Sequence, residues 1–570
     1  MADAGNVESY GVDDNMKRLF APVVAAIRQH AARVAAVPGL VGVRPGFQST
    51  AGEATPALIL AVMPPATAAT ARDAADLSRA VGVPVTFEEA SPQDQVAYFA
   101  RGAVPSMRSD FLDLVEPPLE ILEFRPPITG KYKPPADAPK LDPVEEQMVL
   151  TIATSPDAGW PTFREFLAQP VRRTMHVGIY QFTAPHVYKA LRQTMLDDDD
   201  ATLTMTLHPE AEKIPESGTK ADDIAGPEVL DRLSRALGER FRYAHTTTGA
   251  SGEFASAYHI KVAVADRARL FLSSGNWQSS NQPPFDPLNE PEDLPPSFHR
   301  KYNREHHVVI ENPSLARTFA AYLEHDFERA SRAAPEFAAP AAGVAALPDL
   351  LVPLEEDFLE FAPPTYFEPL TIRDKVKVRP VLTPDNYPDV AYDLVKGAKR
   401  RLWIQNQYIN LNPSGDFDEF KRLVNLLRDK AKKIDVRIIC RDLMKAEKLD
   451  MLLALGFPRE VFKFMSATHT KVIIADDDKV MIGSHNLSNE GVVSNRDASV
   501  VISDRRAVEF CAEVFDHDWT RRATAKPRRS QPRLARPGER APAGTSRVHW
   551  SALFDEPPQA RATSPEPRPP

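Results

Sequence analysis

Cysteine is nearly absent from this chain: Cys440 and Cys511 are the two in 570 residues. Two such residues build no disulfide framework and no zinc site, so nothing requires an oxidising compartment. Long apolar runs are missing as well. The longest, Ala57 to Met63, falls far short of the ~20 residues a helix needs to cross a bilayer. The first twenty residues carry acids and lack the apolar core of a secretory signal. The expected location is therefore cytoplasmic, with secretion by a route that reads no N-terminal signal left open. Net positive charge is lacking too. A formal charge of −9 argues against a general binder of nucleic acid or anionic membrane, while leaving room for a local basic pocket.

What the chain does have is proline, 53 residues, or about 9% against a usual ~5%. Apolar content of 43% and charged content of 26% are those of a soluble globular protein, and the length points to several domains. Residues 1–105 read as a small N-terminal α/β accessory domain. Its signals are helical apolar spacing from Met16 to Val34, strands at Leu40–Val43, Ala57–Met63 and Val83–Phe87, and a helix at Thr67–Ala80. Residues 106–145 are Pro-rich (Pro117-Pro118, Pro126-Pro127, Pro134-Pro135) and read as an extended connector. Residues 333–372, rich in Ala, Pro and acids, read as a crossover linker, and 523–570 as a disordered Pro/Arg-rich tail. One apolar island in that tail, Val548 to Phe554, is suited to docking on the body or on a partner.

The two segments in between, 146–332 and 373–522, superimpose as an internal repeat. Ser155-Pro156-Asp157 matches Thr383-Pro384-Asp385, and 23 residues after each Asp comes a tyrosine, Tyr180 or Tyr408. Tyr258-His259-Ile260-Lys261, four apolar residues and Asp266 match His469-Thr470-Lys471, four apolar residues and Asp476. Ser273-Ser274-Gly275-Asn276 then answers Gly483-Ser484-His485-Asn486, with Ser273 for Gly483 as the change within the signature. Asn303-Arg304-Glu305 pairs with Asn495-Arg496-Asp497, and His325-Asp326-Phe327 with His517-Asp518-Trp519. The spacing from Asp157 to His259 is 102 positions against 84 in the second copy, and from His259 to Glu305 it is 46 against 28. Both insertions thus belong to the first copy. The second of them, Gln282 to His299, is a lid candidate because it springs from the motif's own loop.

An imidazole and an ammonium two residues apart at a strand end make poor core material and good phosphate chemistry. One nitrogen attacks or donates a proton while the cation holds anionic oxygens. Lys261 and Lys471 are the candidate charges, Asn276 and Asn486 neutral donors, and Ser274 and Ser484 weaker substrate-binding candidates. Glu305 and Asp497 are candidates to orient the imidazoles of His259 and His469. Asp266 and Asp476, at the far ends of their strands, suit a structural role. His325 and His517 read as capping or packing groups, the Asp197–Asp200 run as a solvated loop, and Trp277 as core or pocket lining.

The two copies of HxK, four residues, Asp, six residues, GSxN resemble the phospholipase D superfamily over roughly residues 146–522. The resemblance implies an α/β fold of two tandem α/β/α sandwich repeats forming a pseudo-dimer within one chain. It also implies one shared site without metal or cofactor. By analogy His259 is the nucleophile and His469 the acid, acting through a phosphohistidine. The implied substrate is a phosphodiester. A phospholipid headgroup, cut to leave phosphatidic acid, leads over DNA or RNA, and a catalytically inactive interaction protein is the third reading. Peripheral membrane contact is compatible with any of these.

Overall fold

The computed structural model describes 130–135, 137–208, 223–249, 252–294, 302–332, 365–410, 418–442 and 452–525, with the N-terminal segments 36–50, 53–63 and 70–90. It also describes parts of 21–34, the strands at 350–353, 533–534 and 545–548, and a few isolated residues.

At the N-terminus, β1 (Leu40–Thr50) and β2 (Glu53–Val62) form an antiparallel hairpin, longer than the apolar runs alone suggest. Helix α1 (Thr70–Val81) then carries the chain to β3 (Val85–Glu89), which pairs parallel to β2. Polar residues extend the hairpin because its ladder needs backbone partners, not apolar side chains. The expected helix from Met16 is helical where residues 21–34 are described; 16–20 lie outside the described residues.

The first half of the body runs β4 (Val144–Ser155), α2 (Gly159–Ala168), β5 (Thr174–Ile179), α3 (Pro185–Leu196) and β6 (Thr202–Leu207). It continues with α4 (Gly226–Leu237), β7 (Phe241–His245), β8 (Lys261–Ala265), β9 (Arg269–Ser273), β10 (Glu305–Glu311) and α5 (Pro313–Arg332). After β11 (Leu350–Pro353) the second half runs β12 (Leu370–Leu382), α6 (Tyr387–Gly397), β13 (Arg401–Gln405), β14 (Ile409–Asn410), α7 (Asp418–Ala431) and β15 (Asp435–Arg441). It closes with β16 (Phe462–Met465), β17 (Val472–Ala475), β18 (Lys479–Gly483), β19 (Leu487–Ser488), β20 (Ala498–Ser503) and α8 (Arg505–His517).

Fourteen of these strands form one sheet, in the order β16-β15-β13-β17-β18-β20-β12-β4-β10-β9-β8-β5-β6-β7. Read from either edge the order is the same: seven strands of one half, then their equivalents reversed. The halves join where β4 and β12 pair antiparallel, Val144 opposite Val378 through Ile152 opposite Leu370. The centre strands β8 and β17 are buried at every residue, which is why they read as continuous apolar runs rather than alternation. Helices α2, α3 and α4 cover one face of the first half around Phe163, Val187 and Leu233. On the other face, α5 and α8 share one core with strands of both halves, including Val308, Phe319, Val500 and Phe515.

Several expectations change. The tail is structured in part: β21 (Arg533–Leu534) and β22 (Thr545–Val548) pair on either side of β11, which lies in the expected linker. Tail and linker thus supply each other's missing strand partners; the rest of the apolar island, 549–554, lies outside the described residues. Sheet register also corrects the tyrosine match. Met175 and Leu402 occupy equivalent positions, opposite Ala265 and Ala475. Tyr180 is therefore equivalent to Gln407, one residue short of Tyr408. In the Asp197–Asp200 run, Asp197 ends α3 and Asp199 is almost fully exposed, as a solvated loop requires.

Two buried arginines tie the halves together. Arg304 donates to Asp157 of its own half and, at 3.0 Å, to Asp518 of the other. Arg496 donates to Asp385 at 2.6 Å and across to Asp326 at 2.8 Å. Burial would raise the Asp518 carboxyl, but Arg304 and Arg522 reverse that and hold it well below its ordinary range. The equivalent of Arg522 in the first half is Ala330. With one arginine for two acids there, burial and the nearby Asp385 push Asp326 up to about 6, despite Arg496. Tyrosine hydroxyls make up the missing donors: Tyr132 Oη donates to Asp385 at 3.0 Å and Tyr258 Oη to Asp326 at 3.1 Å. Removing one member of such a group strands the others in a dry interior. Arg496→Met is expected to cost about 3–5 kcal/mol of unfolding free energy, with part recovered in Arg496→Met/Asp326→Asn, both read from urea denaturation.

Candidate active site

Each HxK motif lies alongside the segment that precedes the other half's acid. His259 N donates to Arg496 O at 2.8 Å, and Arg496 N to Ala257 O at 2.8 Å. Likewise His469 N donates to Arg304 O at 3.1 Å, and Arg304 N to Ala467 O at 2.7 Å. The arginines that bind the opposite half thus also place, one residue later, an acid beside the opposite histidine. The pairing is crossed: His259 Nδ1 is 2.7 Å from Asp497 Oδ1, and His469 Nδ1 is 2.5 Å from Glu305 Oε1. Separation in sequence is 238 residues for the first pair and 164 for the second.

Burial alone would raise both carboxyls. At Asp497 the His259 imidazole and Lys261 reverse this, and at Glu305 His469, Lys471 and the Ser274 hydroxyl do so; both end below the ordinary carboxylate range. An ionised carboxylate only accepts, so each Nδ1 is the donor of its pair. Lys261 Nζ donates to His259 O at 2.7 Å, and Lys471 Nζ to His469 O at 2.6 Å while lying 3.1 Å from His469 Nε2. All four side chains are buried, as are Asn276 and Asn486 in the loops after β9 and β18. Asn276 Oδ1 has no hydrogen-bond partner among the described residues.

The serines are placed otherwise than expected. Ser274 Oγ donates to Glu305 Oε2 and Ser484 Oγ to Asp497 Oδ1, each at 2.5 Å, while each accepts a backbone N–H from the strand carrying the acid. Their hydroxyls are committed to fixing the acids, not to substrate. Asp266 and Asp476 stand at positive φ (53° and 51°) in the turns after β8 and β17. Their carboxylates gather the amides of Arg172, Arg173 and Thr174, or of Lys399, Arg400 and Arg401, at the start of the adjacent strand. Aspartate tolerates this left-handed backbone better than most residues, and the motif's acid is thereby a turn cap. Trp277 is core, tilted against Phe163 and edge-on to Phe182. His325 Nε2 lies 3.0 Å from Lys133 O and His517 packs on Phe367. The lid candidate is described over 282–294 and at Phe298: Gln282 is buried beside His307, and Phe285 packs on Phe298 and Tyr302.

Sequence reasoning missed a second imidazole behind each acid. In the first half His307 lies between Ser155 Oγ, at 2.8 Å, and Ser273 Oγ, at 3.0 Å. In the second, His485 is 2.6 Å from Ser499 Oγ and stacks on Tyr387 with ring centroids 3.8 Å apart. Register makes His307 equivalent to Ser499, and Ser273-Ser274-Gly275 to Gly483-Ser484-His485, so imidazole and hydroxyl have exchanged strands. The glycines follow: a Cβ at Gly483 would strike Ser499, and one at Gly159, Tyr387's equivalent, would strike His307. Ser273 replaces glycine because its half keeps the hydroxyl there. A similar exchange puts Gly178 and Tyr258 where the second half has Gln405 and Thr468. Tyr258 Oη reaches Asp326 through space a Gly178 side chain would fill, and Gln405 Nε2 reaches Asp518 at 3.0 Å.

Residues 392–519, which hold the second motif, match the family model described as Cardiolipin synthase, PLD-like domain. Residues 392–519 thus carry a PLD-like domain. No curated protein matches the chain. Among solved structures it is similar to phosphatidylserine synthase from Haemophilus influenzae, at 10% identity and TM-score 0.41 over 71% of this chain and 88% of that one. Polyphosphate kinase from Porphyromonas gingivalis aligns at 10% identity and TM-score 0.39, over 76% and 61%. Nuc from Salmonella typhimurium, a phospholipase D family member, aligns at 16% identity and TM-score 0.23, over 33% and 96%.

Four buried histidines give the protein an acid limit. Burial is the main cause holding His208, His306 and His485 down to about 3 and His307 to about 4, against an ordinary 6.5. The unfolded chain therefore binds protons below pH 6.5 that the folded chain refuses. Their stabilisation is complete above that value and is lost as pH falls toward 4. Asp326, which takes up a proton near 6 when folded, offsets one group in part. Urea denaturation is expected to show a net loss on the order of 3 kcal/mol between pH 6.5 and 5.5.

Proposed function

We propose that the chain is a phosphodiesterase of phospholipase D type that cleaves phospholipid headgroups through a phosphohistidine, without metal. One observation supports the reading: each HxK imidazole has its Nδ1 held by a buried carboxylate from the other half, so that both HxK pairs are built into one seam between the halves. His259 Nε2 attacks phosphorus as the bond to the leaving oxygen breaks, and His469 gives that oxygen its Nε2 proton. Water then attacks the phosphohistidine, His469 takes the water's proton, and the bond from phosphorus to His259 Nε2 breaks. Lys261, Lys471, Asn276 and Asn486 hold the non-bridging oxygens as charge develops. Asp497 and Glu305 keep the rings oriented and stabilise whichever is protonated. The description of the matched family model, which names cardiolipin synthase, favours a phospholipid over a nucleic acid. The −9 charge points the same way. No helix among the described residues is long and apolar enough to cross a membrane, so lipid would be met at a surface.

The test is turnover, in EDTA, of phosphatidylcholine vesicles, a plasmid and bis(4-nitrophenyl) phosphate. Release of choline with the plasmid intact supports the reading. Plasmid cleavage alone makes the protein a nuclease, activity on none makes it an interaction protein, and loss in EDTA ends the metal-free mechanism. A quench should trap the phosphoryl group, with its remaining ester, on His259; label on His469 reverses the assignment. Asp497→Asn and Glu305→Gln are each expected to lower kcat by about 100-fold or more. Near-wild-type turnover in both would show that the crossed acids do not serve the chemistry.

A further inference from the structure

The palindromic sheet makes His208 and Arg441 equivalent. Met175 pairs with Leu203 and with Ala265, and Leu402 pairs with Val436 and with Ala475. Five residues beyond Leu203 and Val436 stand His208, just past β6, and Arg441, the last residue of β15. Both strands run parallel to their inner neighbours, and the carboxyl ends of such strands are where open α/β sheets bind ligands. In the first half this position borders the site: the His208 ring is 4.6 Å from that of Tyr180, whose own ring is 5.2 Å from that of His259. Tyr258 N, one residue before His259, donates to His208 Nδ1. In the second half Arg441 N donates at 3.0 Å to the carbonyl of Gln407, the residue in Tyr180's place.

The two positions differ in charge. His208 stays neutral, brought down to about 3 by burial and by His259, His245 and Lys261. Arg441, largely buried, is cationic at any working pH and presents a planar fork that fits a carboxylate or phosphate. By register, the position that holds neutral His208 beside His259 holds an arginine, Arg441, in the half that carries His469. We propose that Arg441 selects phosphodiesters whose leaving group bears a second anion, a carboxylate or a phosphate. This rests on the assignment of His469 as the acid, which puts the departing headgroup on Arg441's side. The diester's own charge goes to Lys261 and Lys471; Arg441 reads what lies beyond it.

The measurement is competitive inhibition of bis(4-nitrophenyl) phosphate turnover by glycerophosphoserine and by glycerophosphoethanolamine, which differ in a carboxylate. Wild-type protein is expected to bind the serine compound tighter by about tenfold, and Arg441→Gln to bring the two inhibition constants within about twofold. Turnover of the chromogenic diester, which has no second anion, should stay near wild type, and Arg441→Lys should keep part of the preference. Asp442→Asn tests whether the neighbouring acid and Arg441 form a purely structural pair: the preference should survive it. A wild-type ratio near one, a ratio unmoved by Arg441→Gln, or its loss in Asp442→Asn overturns the inference. Absence of chromogenic turnover in wild-type protein would instead overturn the functional reading beneath it.

Discussion

The exchange of acids between halves is the constraint on which the rest depends. A buried imidazole that must carry positive charge during a reaction needs a fixed carboxylate close by, and a carboxylate in a dry core needs that partner in turn. Placing the two on different halves makes assembly of the fold and assembly of the site the same event. Arg304 and Arg496 enforce it: each sits one residue before an acid, reaches across to the other half's long helix, and offers its carbonyl to the opposite HxK segment.

Around this constraint the halves keep their functions while trading their parts. A hydroxyl and an imidazole stand behind each acid, on opposite strands in the two halves. Each long-helix aspartate receives a side-chain donor, a phenol in one half and an amide in the other. The first half compensates for having no counterpart of Arg522 with tyrosine hydroxyls and an aspartate whose titration approaches neutrality. Symmetry here is kept in hydrogen-bonding capacity, not in residue identity.

That distinction explains what the sequence made legible. The HxK pairs and the downstream acids stand out in the sequence because their residue types are restricted and the spacing is short, and the structure sets each imidazole beside one of those acids. Asp266 and Asp476, at the strand ends, accept backbone amides of the adjacent strand. The serines misled because their hydroxyls suit a phosphate and a carboxylate equally well, and only distance decides. The Tyr180–Tyr408 match failed by one position, since counting from Asp157 and Asp385 does not see the residue lost between them, and in a strand one residue changes the face. Asp326 and Asp518 escaped notice beside more conspicuous histidines. The crossing of the acids was out of reach: nothing local distinguishes a partner 28 residues away from one 238 residues away.

That long separation bears on how the molecule comes into being. When His259 leaves a ribosome, the carboxylate that will orient it has not been made. At about 5–20 residues per second the interval before Asp497 appears is roughly 10–50 s. Asp326 waits in the same way for Arg496, and Arg304 for Asp518, 214 residues on. A nascent first half therefore carries charged groups that cannot settle into a finished core. Its strand β4 also has an open edge until β12 arrives. Such an edge invites pairing with other chains, so the polypeptide is most exposed to misassembly between the synthesis of its two halves.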